Sequence, residues 1–144
     1  MCTAFRTYVE QLEEASTEDQ LRNAIATVAA NLGVPTFAYI VLPRRKNLPP
    51  RLISNYPLRW MTHYVERGYQ DCDPVVAHSG LTPDAFDWSP DLAGDDEVAL
   101  RFFGEANDFG ICSGHTIPIH NRLGLVAAMT FATDGQCSTF CASI

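Results

Sequence analysis

The 144-residue sequence predicts an α+β fold in which an antiparallel sheet carries helices on its faces. Three observations predict it. Helical and β-rich segments come in blocks, as helices, two strands, helices and then two or more strands. The last two strands read as a hairpin with a short turn. Hydrophobic residues make up 47% of the chain and charged residues 19%, enough apolar material for one core at a length that suits one domain. The domain is expected over residues 1–133, with an irregular tail over 134–144.

Each element has its own signal. Residues 3–14 suit a short helix. The next helix starts at Ser16 or Thr17 as N-cap, with Glu18 and Asp19 in its first turn. Leu21, Ile25, Val28 and Leu32 follow at helical spacing, and Gly33 ends the run. Residues 37–42 form a β-rich run stopped by Pro43, and residues 51–56 suit an antiparallel partner. Pro57 opens a helix through Trp60 and Tyr64 that closes at Gly68. Asp73-Pro74 starts another, since Asp caps well and Pro fits the first helical position. Residues 85–88 suggest a brief strand. Asp95 is expected to cap a helix through Val98, Phe102, Phe103 and Ala106, with Gly110 just past its end. Residues 115–119 alternate, residues 121–124 make a turn, and residues 125–133 form a long apolar strand.

Composition excludes several classes. A formal net charge of −7 repels a phosphate backbone, so no direct nucleic-acid partner is expected. The basic run Arg44-Arg45-Lys46 sits in a Pro-rich turn and reads as a solvated loop tip. No stretch suits a bilayer span, and residues 1–20 are too acidic for a signal peptide, which places the chain in the cytoplasm without a membrane partner. Five cysteines there read as free thiols. Cys137 and Cys141 lack the further ligands that a zinc site needs, so no metal is expected. There is no nucleophile elbow, phosphate loop or dinucleotide fingerprint. His115 and His120 fall on opposite faces of a strand, and His63 and His78 read as helix-surface residues. The chain is therefore read as no enzyme.

The chemistry concentrates in residues 54–88. Tyr56 ends a strand, and Trp60 and Tyr64 share a helix face four residues apart. Asp73 and Trp88 follow. Polar-tipped aromatics around one carboxylate suit the polar head of a small ligand, with ring N–H and O–H groups donating and the Asp accepting. The plainer reading is core packing for the aromatics and simple capping for Asp73.

The run Tyr56-x3-Trp60-x3-Tyr64, then Asp73-Pro74-Val75-Val76 and Phe86-x-Trp88, resembles the autoinducer-binding domain of LuxR-type quorum-sensing regulators. So does Phe109-Gly110-Ile111-x2-Gly114-x3-Pro118-Ile119-His120, followed by Gly124 and an apolar strand. The resemblance runs from Thr17 to Thr133 and implies an α-β-α sandwich, GAF/PAS-like, that binds an N-acyl-homoserine lactone without a further cofactor. It implies that Trp60 meets the lactone carbonyl, Asp73 the amide N–H and Tyr56 the acyl carbonyl, with Thr130 beside the amide. Tyr64, Trp88 and Phe103 become apolar walls, Ala38 and Ile40 line the acyl side, and Gly114 is structural. Family regulators carry a DNA-binding helix-turn-helix domain and dimerise. No such pattern occurs in these residues, so the expected partners are a small autoinducer and a second copy or a full-length relative. The alternatives are a related sensor or dimerisation module with another ligand or none, and a small hydrolase using His115 or His120.

Overall fold

Residues 17–34, 36–45 and 48–134 are described by a computed structural model. The helix expected over 3–14, Lys46, Cys2, Cys137, Cys141 and residues 135–144 lie outside them. Helix α1 (Glu18–Asn31) is followed by β1 (Thr36–Val41), β2 (Arg51–Ser54), α2 (Leu58–Glu66) and α3 (Pro74–Ser79). Then come β3 (Phe86–Trp88), α4 (Glu97–Asp108), β4 (Ser113–Asn121) and β5 (Gly124–Thr133). Single 3₁₀ turns at Tyr69–Asp71 and Pro90–Ala93 lead into α3 and α4.

Local chemistry sets most boundaries. The Thr17 side chain accepts from the Gln20 N–H, so Thr17 is the α1 cap. Asp73 caps α3, with Pro74 in the first turn. Helix α4 is capped by Asp96 rather than Asp95: Asp96 Oδ1 accepts from the N–H groups of Val98 and Ala99, two and three residues on, at 2.9 and 3.2 Å. Gly110 follows the α4 C-cap at φ 81°, a left-handed conformation that glycine adopts without strain.

The five strands form one antiparallel sheet in the order β2-β1-β5-β4-β3. Because side chains alternate along a strand, each strand feeds two layers. Phe37, Ile53, Met129 and Phe131 face one way and pack with Ile25, Val28 and Ala29 of α1. Ile40, Trp88, Ala128 and Ala132 face the other way and pack with Trp60, Tyr64, Val75 and the α4 residues Phe102, Phe103 and Ala106. The result is an α-β-α sandwich, with α1 on one face and α2, α3 and α4 on the other.

Candidate functional site

The register aligns pocket-side residues in transverse rows. Ala38 pairs with Ser54 on β2 and with Thr130 on β5, and Thr130 pairs with Thr116 on β4. That row reads Ser54, Ala38, Thr130, Thr116: three hydroxyls and one small residue. The next row reads Leu52, Ile40, Ala128 and is wholly apolar. Helices α2 and α4 roof these rows without closing on them. A cavity remains whose lining is overwhelmingly apolar, with about 60 Å³ open to the centre of a water-sized sphere.

Asp73 is the charged group of the cavity. Its Oδ1 accepts from the Val75 N–H at 2.8 Å, and its Oδ2 accepts from the Tyr64 hydroxyl at 2.7 Å. Burial raises its pKa to about 6, against the opposing pull of Tyr64 and the Val75 and Val76 amides. The same burial, with the Asp73 charge added, pushes the Tyr64 and Tyr56 hydroxyls well above the ordinary phenol range. Both tyrosines are therefore neutral donors at any physiological pH.

The opposite wall is a relay of hydrogen bonds. The Trp88 indole N–H donates to Thr116 Oγ1 at 2.9 Å, and Thr116 Oγ1 lies 2.7 Å from Thr130 Oγ1. Trp88 also stacks on Phe103, with ring centroids 5.9 Å apart. Trp60 is held edge-on by Tyr64 and Phe102 and tilted against Tyr69 and Phe109. Behind it, His63 Nε2 lies 3.1 Å from Glu105 Oε1, and the Tyr69 hydroxyl donates to the other Glu105 oxygen. His63 thus departs from the expected helix-surface role: it joins a half-buried polar cluster that ties α2 to α4.

All nine residues singled out in the sequence, namely Tyr56, Trp60, Tyr64, Asp73, Trp88, Phe103, Thr130, Ala38 and Ile40, border this one cavity. Leu52, Ser54, Met61, Val75, Val76, Phe102, Ala106, Ile111 and Ala128 border it as well and were not foreseen. Parity along β2 carried a signal for Leu52 and Ser54, which flank the fully buried Ile53 of the other layer. Neither His115 nor His120 borders the cavity. His115 Nδ1 lies 2.8 Å from Asp87 Oδ1, and the His120 Nε2–H donates to the carbonyls of Ser79 and Thr82. Among the described residues, no group of three or more His, Cys, Asp or Glu side chains is placed to hold a metal. No helix there is long and apolar enough to cross a membrane.

An apolar cavity with a few converging polar groups, set between a sheet and its helices, is the form of a small-molecule-binding domain. Residues 17–140 match the family model of the autoinducer-binding domain, and the chain belongs to that family, which is found in LuxR-type transcriptional regulators. The match runs past residue 133. The transcriptional activator TraR of Rhizobium radiobacter is 31% identical over 119 residues, covering 79% of this chain and 48% of that protein. The transcriptional activator ExpR of Dickeya dadantii is 31% identical over 103 residues, covering 71% of this chain and 41% of that protein. The chain spans less than half the length of either relative. Among solved structures, CepR2 of Burkholderia cenocepacia, described as an N-acylhomoserine-lactone-dependent LuxR-family factor, superposes with a TM-score of 0.74 at 23% identity. That superposition covers 99% of this chain and 88% of CepR2, and shows the shared fold.

Proposed function

We propose that this chain binds an N-acyl-homoserine lactone and is the sensor portion of a LuxR-type regulator, not an enzyme. The observation that carries the reading is the convergence of Tyr56, Trp60, Asp73 and Thr130 on one largely apolar cavity. The ligand presents a lactone carbonyl, an amide N–H and an acyl carbonyl, and each needs a partner once buried. In this reading Trp60 donates to the lactone carbonyl, Asp73 accepts from the amide and Tyr56 donates to the acyl carbonyl. Thr130, held by Thr116, sits beside the amide. The tail lies on Ala38 and Ile40, with Tyr64, Trp88 and Phe103 as walls. The domain works in the cytoplasm, without cofactor, metal or membrane contact. It acts as a dimer, of its own kind or with a relative.

The cavity, about 60 Å³, is well below the usual size of a ligand pocket. Binding therefore spreads α2 and α4 from the sheet, and ligand burial adds directly to folding stability. The same small void favours a second reading, a related sensor with a smaller ligand or a ligand-free dimerisation module. One experiment separates them. The protein is expressed with and without a panel of acyl-homoserine lactones, and the purified protein is extracted for mass spectrometry. A retained lactone with a higher soluble yield is the expected result. Soluble protein that retains none from any member of the panel sinks the lactone reading in favour of the second.

A further inference from the structure

A second hollow lies outside the first, between the end of β2 and the outer side of α2. It is open to solvent and is bordered by Pro50, Leu52, Met61, Thr62, Val65 and Glu66. Leu52 and Met61 border the inner cavity too, so these two side chains form the partition between the hollows. On the inner side the partition continues the apolar row Leu52, Ile40, Ala128 that leads away from the hydroxyl row of Ser54, Thr130 and Thr116. An extended chain with its polar head at the hydroxyl row and its tail along the apolar row arrives at Leu52. Met61 stands beside it, with its sulfur accepting a hydrogen bond from the Ser54 hydroxyl at 3.0 Å. Methionine is unbranched and readily changes rotamer, and a thioether is a weak acceptor, so this half of the partition yields at low cost.

Resting on the lactone reading above, we propose that a long N-acyl chain passes the Leu52–Met61 partition and lays its distal methylenes in the outer cleft against Pro50 and Val65. Three observations support this occupant. The cleft adjoins the inner cavity, with Leu52 and Met61 lining both. Its nearer lining is apolar, with Thr62 and Glu66 on the exposed side. The apolar row of Ala128, Ile40 and Leu52 ends on the side chain that both hollows share. The site then selects for length, because each methylene removed from water strengthens binding by about fourfold.

Two ligands and two variants test the proposal, with affinity followed through the fluorescence of the cavity tryptophans. N-hexanoyl-homoserine lactone ends before the partition and N-dodecanoyl-homoserine lactone passes it. The wild-type chain is expected to bind the dodecanoyl ligand at least tenfold more tightly. Val65→Asp puts a charge at an exposed position of the cleft, and Thr62→Trp fills the cleft from its rim. Each is expected to weaken dodecanoyl binding at least tenfold and to leave hexanoyl binding within twofold. Equal losses for both ligands, or no loss for either, overturn the outer site while the lactone reading stands. Failure of the wild type to bind either lactone overturns both.

Discussion

Trp88 lies directly on the backbone of Gly114: a Cβ built on that glycine would sit 2.8 Å from Trp88 Cζ2 and 2.5 Å from the Phe131 carbonyl oxygen. The two residues are register partners on β3 and β4, and the ring covers the space that any side chain would take. The Phe131 oxygen belongs to the sheet backbone and has nowhere to move. Gly114→Ala is therefore expected to lower unfolding stability by about 1–3 kcal/mol, as overpacking does. Gly104 is the control, because a Cβ there meets nothing within 4 Å and the position is helical and exposed. Gly104→Ala should stabilise by about 0.5–1 kcal/mol. Paired urea denaturation curves check both, and equal effects at the two positions would remove the contact argument.

Asp73 gives the domain a pH dependence with a definite sign. Its folded-state pKa of about 6 stands above the ordinary value of 3.8, so the folded protein holds this proton more tightly than the unfolded chain does. The resulting stabilisation is fully present below about pH 4 and is lost as pH rises through 6. Asn at this position has no charge to bury. The stability of the wild type relative to Asp73→Asn should therefore fall by roughly 2–3 kcal/mol between pH 4 and 7, as read from denaturation curves across that range. Ligand affinity should move the opposite way, since an amide N–H donating to Asp73 favours the charged form: binding strengthens as pH rises from 5 to about 7. A flat stability difference would mean that burial leaves the folded-state pKa of Asp73 at its ordinary value.

Much of this site was legible because its chemistry is local. Trp60 and Tyr64 share a face by helical spacing, and Asp73-Pro74 is both a cap and a carboxylate at the cavity wall. Parity also separates Ala38 and Ile40 from Phe37, although only a partner reveals which set faces the ligand side. Strand pairing was not legible. Nothing in a single sequence sets Ala38 opposite both Ser54 and Thr130, so the hydroxyl row stayed hidden, and with it the roles of Ser54 and Thr116. Phe102 was missed for another reason: it adjoins Phe103 on α4, and both are buried because the helix turns a broad stripe to the core. The cap at Asp96 rather than Asp95 shows the usual one-residue uncertainty where two capping residues are adjacent.

Trp60→Phe isolates the indole N–H. Trp60 is buried among Tyr64, Tyr69, Phe102 and Phe109, and a phenyl ring keeps much of that edge-on packing. Lactone affinity should fall about tenfold, the worth of one buried hydrogen bond. The loss should be the same for hexanoyl and dodecanoyl ligands, because in the proposed pose the indole meets the head and not the tail. Affinities for the two ligands, measured beside the unfolding curve, check this. A loss confined to the dodecanoyl ligand would place Trp60 on the tail instead.

The Trp88–Thr116–Thr130 relay calls for a double-mutant cycle. Thr116 is fully buried, its oxygen receives the Trp88 N–H, and it is bonded in turn to Thr130. Thr116→Val keeps the shape but strands the indole N–H in an apolar site, which costs about 1–3 kcal/mol. Trp88→Phe removes the donor and some ring area. In the double variant the stranded donor is gone, so its stability loss should be smaller than the sum of the single losses by about 1 kcal/mol or more. Strict additivity would mean that the Trp88 N–H finds another partner when Thr116 is removed. The relay also orients Thr130. Thr116→Val should weaken lactone binding through a freely rotating Thr130 hydroxyl, and Trp88→Phe should do so less, because Thr116 keeps its bond to Thr130 when the indole is lost.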